Sequence, residues 1–101
     1  MPNKALALLG LARRAGKLTW FEEANLAAIR SGQAKLLLLA SDAGEAAKKR
    51  YRDKSKSYSV PMIVFVDKIQ LGAALGTSPR AAVTVTDEGF AERLKTLLII
   101  E

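Results

Sequence analysis

The feature that most constrains the fold is an uninterrupted apolar run near the middle of the chain. Residues 36–40 read Leu-Leu-Leu-Leu-Ala and are bounded by Lys35 and by a polar segment that begins at Ser41. A strand that is apolar at every position is typical of a strand covered by helices on both faces. The run is far shorter than the ~20 residues that a membrane-spanning helix requires. The chain is therefore predicted to fold around a buried central strand and to have no membrane role.

Helical and extended patterns alternate along the whole chain. The extended segments are Lys17–Thr19, Lys35–Ala40, Val60–Val66 and Ala81–Thr86. Helical patterns cover Ala5–Ala12, Glu23–Arg30, Ala46 to about Tyr51, a short segment through Ala74, and a final segment that turns Phe90, Leu94, Leu97 and Leu98 inward. Because the connections are short, the order αβαβαβαβα predicts an α/β fold, a three-layer α-β-α sandwich with a central mixed sheet of about four strands. We expect residues 1–101 to form a single domain.

Residues that start and stop helices define several of these boundaries. Left-handed glycines that end helices are expected at Gly16, Gly32 and Gly76. Capping-box spacing predicts helix starts at Thr19 with Glu22, at Asp42 with Glu45, and at Asp67 with Gln70. The last helix is expected to begin at Thr86 or Asp87, with residues 97–100 either helical or extended. The alternation in residues 81–86 predicts a half-exposed strand.

The composition excludes most catalytic chemistry. The chain has no Cys and no His, so disulfides, the usual zinc sites, Ser-His-Asp and Cys-His nucleophiles and a histidine general base are all impossible. Glu22 and Glu23 are adjacent on a helix and point apart, which does not suit shared acid–base work. No glycine-rich nucleotide motif is present. We therefore expect a cytoplasmic protein that is not an enzyme and holds no metal or cofactor.

The positive charge is concentrated in the first part of the chain. Residues 1–58 hold twelve Lys and Arg against five acids, a charge of +7, whereas residues 59–101 hold four against five, a charge of −1. Such an excess indicates either a face for a polyanion or simply a well-solvated surface. The most basic segment, residues 48–56, either contacts phosphates or is a solvated helix end or loop. It lacks the broad apolar face that a membrane-surface helix needs.

An aromatic pair, Trp20 and Phe21, stands just before or at the start of the second helix. Two roles fit this position. Exposed rings would stack on an unpaired base of RNA. A packed ring would form a hydrophobic staple at the helix entry, the role that we favour for one of the two.

Several strings of the chain resemble a known family. They are Leu8–Lys17 (LLGLARRAGK), Ala28–Lys35 (AIRSGQAK), Leu39–Ala43 (LASDA), Val60-Pro61, Leu71-Gly72, Gly76 and Ala82. With the order of elements, they resemble the ribosomal-protein family written L-seven-Ae or L-thirty-e, whose members bind kink-turn RNA. The resemblance covers nearly the whole chain and is strongest to the short bacterial YlxQ type.

The resemblance implies an α-β-α sandwich whose RNA surface gathers the start of helix two, the start of helix three and the loop before the last strand. Helix N-termini offer free N–H groups and partial positive charge to a phosphate backbone. With the cations and aromatic residues above, the predicted RNA-binding set is Lys17, Trp20, Phe21, Glu22, Glu23, Gly44, Glu45, Lys48, Lys49, Thr77, Ser78 and Arg80.

The chain departs from the family's pattern within this set. Phe21 stands where the family has Gly, Glu23 and Ala24 where it has a polar pair, Ala27 where it has Lys, and Gly44 where it has an acid, with Glu45 beside it. The polar pair reads the sheared G·A pairs of a kink-turn through base edges, and Ala24 has no hydrogen-bonding side chain. Altered or relaxed kink-turn specificity is therefore predicted.

Two function classes follow. The first is a monomeric, non-catalytic structured-RNA-binding protein whose affinity is mainly electrostatic, supplied by Arg13, Arg14, Lys17, Lys48 and Lys49. By analogy with the family, ribosomal RNA is its expected ligand, and ribosomal or translation proteins are further expected partners. The second is a protein-interaction module that kept the fold and lost the RNA contacts, an alternative that the apolar replacements favour.

Overall fold

The computed structural model describes residues 2–100. Its five helices are α1 (Pro2–Arg14), α2 (Glu22–Ser31), α3 (Glu45–Ser57), α4 (Lys68–Leu75) and α5 (Glu88–Ile100). Its four strands are β1 (Leu18–Thr19), β2 (Leu36–Leu39), β3 (Met62–Val64) and β4 (Ala82–Val85). Helices and strands alternate along the chain as predicted, and residues 97–100, for which two conformations were considered, are helical.

The four strands form one mixed sheet in the order β1-β4-β2-β3. β4 pairs antiparallel with both β1 and β2, and β2 pairs in parallel with β3. Helices α2 and α3 pack together on one face of the sheet, and α1 packs with α4 and α5 on the other. The predicted α-β-α sandwich is confirmed, with α2, α3 and the loop before β4 brought to one side of the molecule.

The core is centred on β2, as its sequence predicts. All four residues of β2 and the following Ala40 have no solvent exposure. Both helix layers contribute to the same cluster, with Leu9 and Leu94 from one layer and Ile29 from the other fully buried. Burial of apolar surface on both sides of β2 is the main stabilising contribution to the sandwich.

The prediction of a half-exposed last strand is wrong. Every residue of β4 is buried, Thr84 included. The local alternation in residues 81–86 was misleading because β4 lies between β1 and β2, where helices cover both of its faces. Position within a sheet depends on long-range pairing, and a short alternating segment does not encode it.

Two of the three predicted capping boxes are also wrong. Phe21 and Gly44 are the N-cap residues of α2 and α3, and neither makes a side-chain cap. The hydroxyl of Thr19 donates to Asn25 Oδ1 at 2.7 Å, and Asp42 Oδ1 accepts from the backbone N–H of Lys68 at 2.8 Å. Both candidate caps are therefore engaged by other partners. Asp67 and Gln70, in contrast, form both bonds of a capping box at α4.

The hydroxyl of Thr84 yields a stability prediction. Its Oγ1 is buried and has no hydrogen-bond partner among the described residues. Because an unpaired buried hydroxyl forfeits its bonds to water, we expect Thr84→Val to raise the free energy of unfolding by about 1 kcal/mol. Urea unfolding followed by circular dichroism measures the change. A loss of stability in the valine variant would mean that this hydroxyl has a partner.

Candidate nucleic-acid interface

Three chain segments that are distant in sequence meet beside the start of α2. The β1–α2 junction, helix α3 and the segment that enters β4 line a cavity of about 200 Å³. Its lining residues are Trp20, Phe21, Glu22, Ala47, Tyr51, Pro79, Arg80, Ala81 and Ala82. Four residues of the predicted set, Trp20, Phe21, Glu22 and Arg80, are therefore brought together.

The first turns of α2 and α3 leave their backbone donors without a side-chain cap. The first hydrogen bond of α2 runs from the Asn25 N–H to Phe21, and that of α3 from the Lys48 N–H to Gly44. The N–H groups of residues 22–24 and 45–47 therefore have no intrahelical acceptor. At α4 and α5, Asp67 and Asp87 each accept a first-turn N–H. The two helices whose starts lie at the candidate interface differ from these two in leaving their donors open.

Carboxylates stand beside these open donors. Glu22 forms a salt bridge with Arg50 of α3, which joins the two helices at the edge of the cavity. Glu23 and Glu45 are exposed in the first turns of α2 and α3. They favour the positive ends of the helix dipoles, and they also oppose a phosphate placed directly over those ends. Their oxygens accept hydrogen bonds and so suit the amino groups of bases better than phosphates.

Aromatic rings and guanidinium groups form one continuous row across the β1–α2 junction. The ring centroids of Trp20 and Phe21 are 6.2 Å apart and tilted by 35°. Arg13 Cζ lies 5.2 Å from the Trp20 ring, and Arg80 Cζ lies 4.6 Å from the Phe21 ring. We call Arg13, Trp20, Phe21 and Arg80 the aromatic row. Arg80 is further held by a 3.3 Å hydrogen bond from its Nε to Thr77 Oγ1.

The two rings have different roles in the fold. Trp20 is partly buried and packs against the core, whereas Phe21 is 57% exposed. A hydrophobic staple pairs the residue before the N-cap with the fourth residue of the helix. Here those positions are Trp20 and the polar Asn25, so a staple of that kind is not formed. Trp20 anchors the helix entry through the core instead, and Phe21 is left largely in solvent.

A buried polar cluster beneath the interface ties its segments together. Asn25 has no solvent exposure; its Oδ1 accepts from Thr19, and its Nδ2 donates to Tyr51 Oη at 3.1 Å and to the carbonyl of Ala82 at 3.3 Å. One amide therefore links β1, α2, α3 and β4. Because β1 pairs with β4 for only two residues, the Ala82 carbonyl lies beyond that pairing and is satisfied by the Asn25 side chain.

Burial keeps the acceptor in this cluster neutral. Desolvation raises the pKa of the Tyr51 hydroxyl above its ordinary value, and the hydrogen bond from Asn25 opposes this only in part. The hydroxyl therefore stays protonated at neutral pH. The cluster holds no charge that titrates near neutrality, so it fixes the geometry of the interface without making it sensitive to physiological pH.

The remaining predicted residues lie around the cavity or away from it. Thr77 and Ser78 form the turn that leads to Arg80, with the Thr77 hydroxyl donating to the Ser78 carbonyl at 2.8 Å. Lys49 is exposed and bonded to Asp53 at 2.8 Å, which lowers the pKa of the Asp53 carboxyl. Lys17 is paired with Thr86 at the other end of β1 from the cavity, so the fold does not bring it to this cluster.

Asn25, Tyr51 and Arg50 belong to the site but were not predicted from the sequence. One signal was available: Asn25 shares the helical face of Ala28 and Ile29, all of them buried, and a polar side chain at such a position needs partners. The partners themselves are long-range. No local pattern links Asn25 to Tyr51 or Glu22 to Arg50.

Comparisons with known proteins identify the family. Residues 3–95 match the ribosomal protein L7Ae/L30e/S12e/Gadd45 family. The chain belongs to this family. The family resemblance noted in the sequence is therefore confirmed. The matched span includes all four strands and the starts of α2 and α3.

Two relatives match this chain over most of their length. The chain is 41% identical over 96 residues to the RNA-binding protein YlxQ of Enterococcus faecium, covering 95% of this chain and 92% of the relative. It is 42% identical over 91 residues to the RNA-binding protein YlxQ of Bacillus subtilis strain 168, covering 90% and 91%. Both relatives are named as RNA-binding proteins and not as enzymes, in agreement with the non-enzymatic prediction.

Solved structures support the same fold. A protein of unknown function from Bacillus halodurans superposes with a TM-score of 0.89 at 41% identity, over 93% of this chain and 95% of that one. The Giardia lamblia 15.5kD RNA binding protein superposes with a TM-score of 0.76 at 16% identity, over 94% and 81%. The second likeness is one of fold alone.

Two further features of the described residues concern metal sites and membrane spans. Within residues 2–100, His, Cys, Asp and Glu nowhere form a group of three or more that is placed to hold a metal ion. No helix in the same range combines the length and apolar character needed to cross a bilayer.

Proposed function

We propose that this chain is a non-catalytic protein that binds structured RNA at the β1–α2 junction, the start of α3 and the loop before β4. The observation that carries the proposal is the convergence of uncapped first-turn donors of α2 and α3 with Arg80 and an exposed aromatic ring around one cavity. The YlxQ relatives, named as RNA-binding proteins, support it.

Affinity comes mainly from cations near the start of α3, which reach phosphates of the RNA backbone. Lys48 has no carboxylate within salt-bridge distance in the described part of the chain, and Lys49 has only an exposed partner that contributes little stability. Both are therefore available to an RNA backbone at low cost. Each phosphate that they neutralise releases counterions, which makes binding salt-dependent.

The side chains that α2 offers to RNA bases differ from those expected from the family resemblance, which has a polar pair and a lysine on this helix. Ala24 and Ala27 are exposed on α2 and offer no side-chain hydrogen bonds, and Glu22 is paired with Arg50. Glu23 is therefore the carboxylate of that turn that is left to accept from base amino groups. We infer structured RNA with relaxed kink-turn specificity as the ligand. Ribosomal RNA is the proposed source, because the family is described as one of ribosomal proteins.

Charge reversal near the start of α3 tests the proposal. We expect Lys48→Glu with Lys49→Glu to weaken binding to a kink-turn RNA and to ribosomal RNA fragments by at least about tenfold, and to reduce the salt slope by roughly one unit per lost contact. Fluorescence anisotropy of labelled RNA at several salt concentrations measures both quantities.

A matched control variant distinguishes the loss of contacts at this interface from the effect of a lower net charge. Lys4→Glu with Arg93→Glu makes the same change in net charge on α1 and α5, the opposite helix layer. We expect that variant to bind RNA nearly as well as the unmodified protein. Equal losses in the two double variants, or an affinity that does not respond to salt, would refute the proposed interface.

A further inference from the structure

We infer that the aromatic row holds one unpaired nucleotide, whose base lies against Phe21 and Trp20 and whose phosphates lie near Arg80 and Arg13. This inference rests on the proposed RNA-binding function and specifies a ligand class for one part of the interface. It concerns the residue at which this chain has Phe21 in place of the glycine expected from the family resemblance.

The fold gives no reason for a phenylalanine at this position. Phe21 is the N-cap of α2, where Ser, Thr, Asp, Asn or Gly would satisfy or accommodate the open helix donors. Its ring is 57% exposed, so it contributes little to the core. A large ring that neither caps the helix nor fills the interior is available to a ligand, and a flat apolar face suits a nucleobase.

A groove beside the aromatic row has a mainly apolar lining that suits a nucleobase. It has a volume of about 180 Å³ and is lined by Leu18, Thr19, Trp20, Phe21 and Ala24. The small side chain of Ala24 leaves it open to solvent. Arg80 does not line this groove, since its guanidinium covers Phe21 from the neighbouring cavity. A groove of this size suits one base.

The positive charges at the two ends of the aromatic row complement the negative phosphates of a nucleotide. Arg13 and Arg80 each lie over a ring, and neither has a carboxylate partner among residues 2–100. Arg80 is held in place by Thr77, which keeps its charge beside the ring. Aromatic rings flanked by guanidinium groups are the common arrangement for bases and phosphates of single-stranded RNA.

An unpaired nucleotide fits this surface better than a duplex does. In a helical duplex the base faces are stacked within the helix, and only base edges and backbone are accessible. The aromatic row presents ring faces, which match base faces. Duplex parts of the same RNA would contact Lys48 and the helix starts, and the nucleotide that leaves the stack would reach the groove.

The intrinsic fluorescence of the protein provides a direct test, because Trp20 is its single tryptophan. The probes are a blunt-ended RNA duplex and the same duplex interrupted by a bulge of unpaired uridines. We expect the bulged RNA to quench Trp20 emission and to bind about tenfold more tightly than the blunt duplex, in line with the contribution of one stacked base.

Three substitutions give the test its controls. Phe21→Leu keeps an apolar side chain and removes the ring, and Ala24→Leu fills the groove; each should abolish the preference for the bulge, measured as the ratio of the affinities for the two RNAs. Phe21→Tyr keeps a ring face and should retain the preference. Both altered side chains are exposed, so folding is not at issue.

The outcomes are distinct. Binding of both RNAs with equal affinity and unchanged Trp20 emission would overturn this inference and leave the proposed function standing. So would a bulge preference that survives both Phe21→Leu and Ala24→Leu. Failure of both RNAs to bind would overturn the proposed function as well, and would favour a protein partner for the aromatic row.

Discussion

Replacement of Gly72 by alanine is expected to destabilise the protein by about 3 kcal/mol and to disturb the loop that carries Arg80. A Cβ at Gly72 would lie 2.2 Å from the carbonyl oxygen of Ser78 and 2.9 Å from Cα of Pro79. Both are backbone atoms, so no side chain can rotate to relieve the overlap. The loop must move away from α4, and the gain in helix propensity, about 1 kcal/mol, does not offset this cost.

The displacement of the loop is transmitted to the Arg80 side chain through two hydrogen bonds. The Gly72 carbonyl accepts from the Thr77 N–H at 2.9 Å, and Thr77 in turn holds the Arg80 guanidinium. We therefore expect Gly72→Ala to weaken RNA binding even under conditions where the variant is folded. Urea unfolding followed by far-ultraviolet circular dichroism gives the stability change, and anisotropy gives the affinity.

Gly10→Ala is the matched control for this substitution. Gly10 is also inside a helix, but a Cβ there meets the carbonyl oxygen of Ala74 at 3.5 Å, an ordinary contact. The same change should therefore raise stability by about 0.5–1 kcal/mol through helix propensity alone. If Gly72→Ala were as stable as Gly10→Ala, close contact between α4 and the loop would not be the reason for glycine at position 72.

Sequence reasoning succeeded where structure is determined locally. The unbroken apolar run of β2 required two covered faces, and Gly32 and Gly76 take the left-handed conformation that ends α2 and α4. Asp67 and Gln70 cap α4 because both partners lie within one turn. Each of these outcomes depends on residues that are close together in the chain.

The predictions that were wrong share a different cause, namely contacts between residues that are distant in the sequence. Asp42 and Thr19 had the spacing of helix caps, yet their side chains bond to Lys68 and Asn25, partners that the local pattern does not reveal. β4 is buried because of its neighbours in the sheet. The resemblance predicted where the interface lies, but it could not show that the guanidinium of Arg80 lies over the Phe21 ring, since that contact joins two distant segments.

Replacement of Asn25 is also expected to cause a large loss of stability, because this one buried amide has three hydrogen-bond partners. Asn25→Leu keeps the branched shape of the side chain and leaves the Thr19 hydroxyl, the Tyr51 hydroxyl and the Ala82 carbonyl without their bonds. The bonds to Tyr51 and Ala82 are buried and the bond to Thr19 is half-buried. Each unpaired buried group costs roughly 1–3 kcal/mol, so we expect a loss of about 3 kcal/mol in the free energy of unfolding.

A triple variant distinguishes lost pairing from altered packing. Thr19→Val and Tyr51→Phe, added to Asn25→Leu, remove two of the stranded hydroxyls and should restore more than half of the lost stability, because replacing all partners by apolar groups is far less costly than stranding them. Only the Ala82 carbonyl then remains unpaired. Urea unfolding of the single and triple variants measures the difference. If the triple variant were no more stable than Asn25→Leu, packing at this position and not hydrogen bonding would hold β1, α2, α3 and β4 in the arrangement that forms the interface.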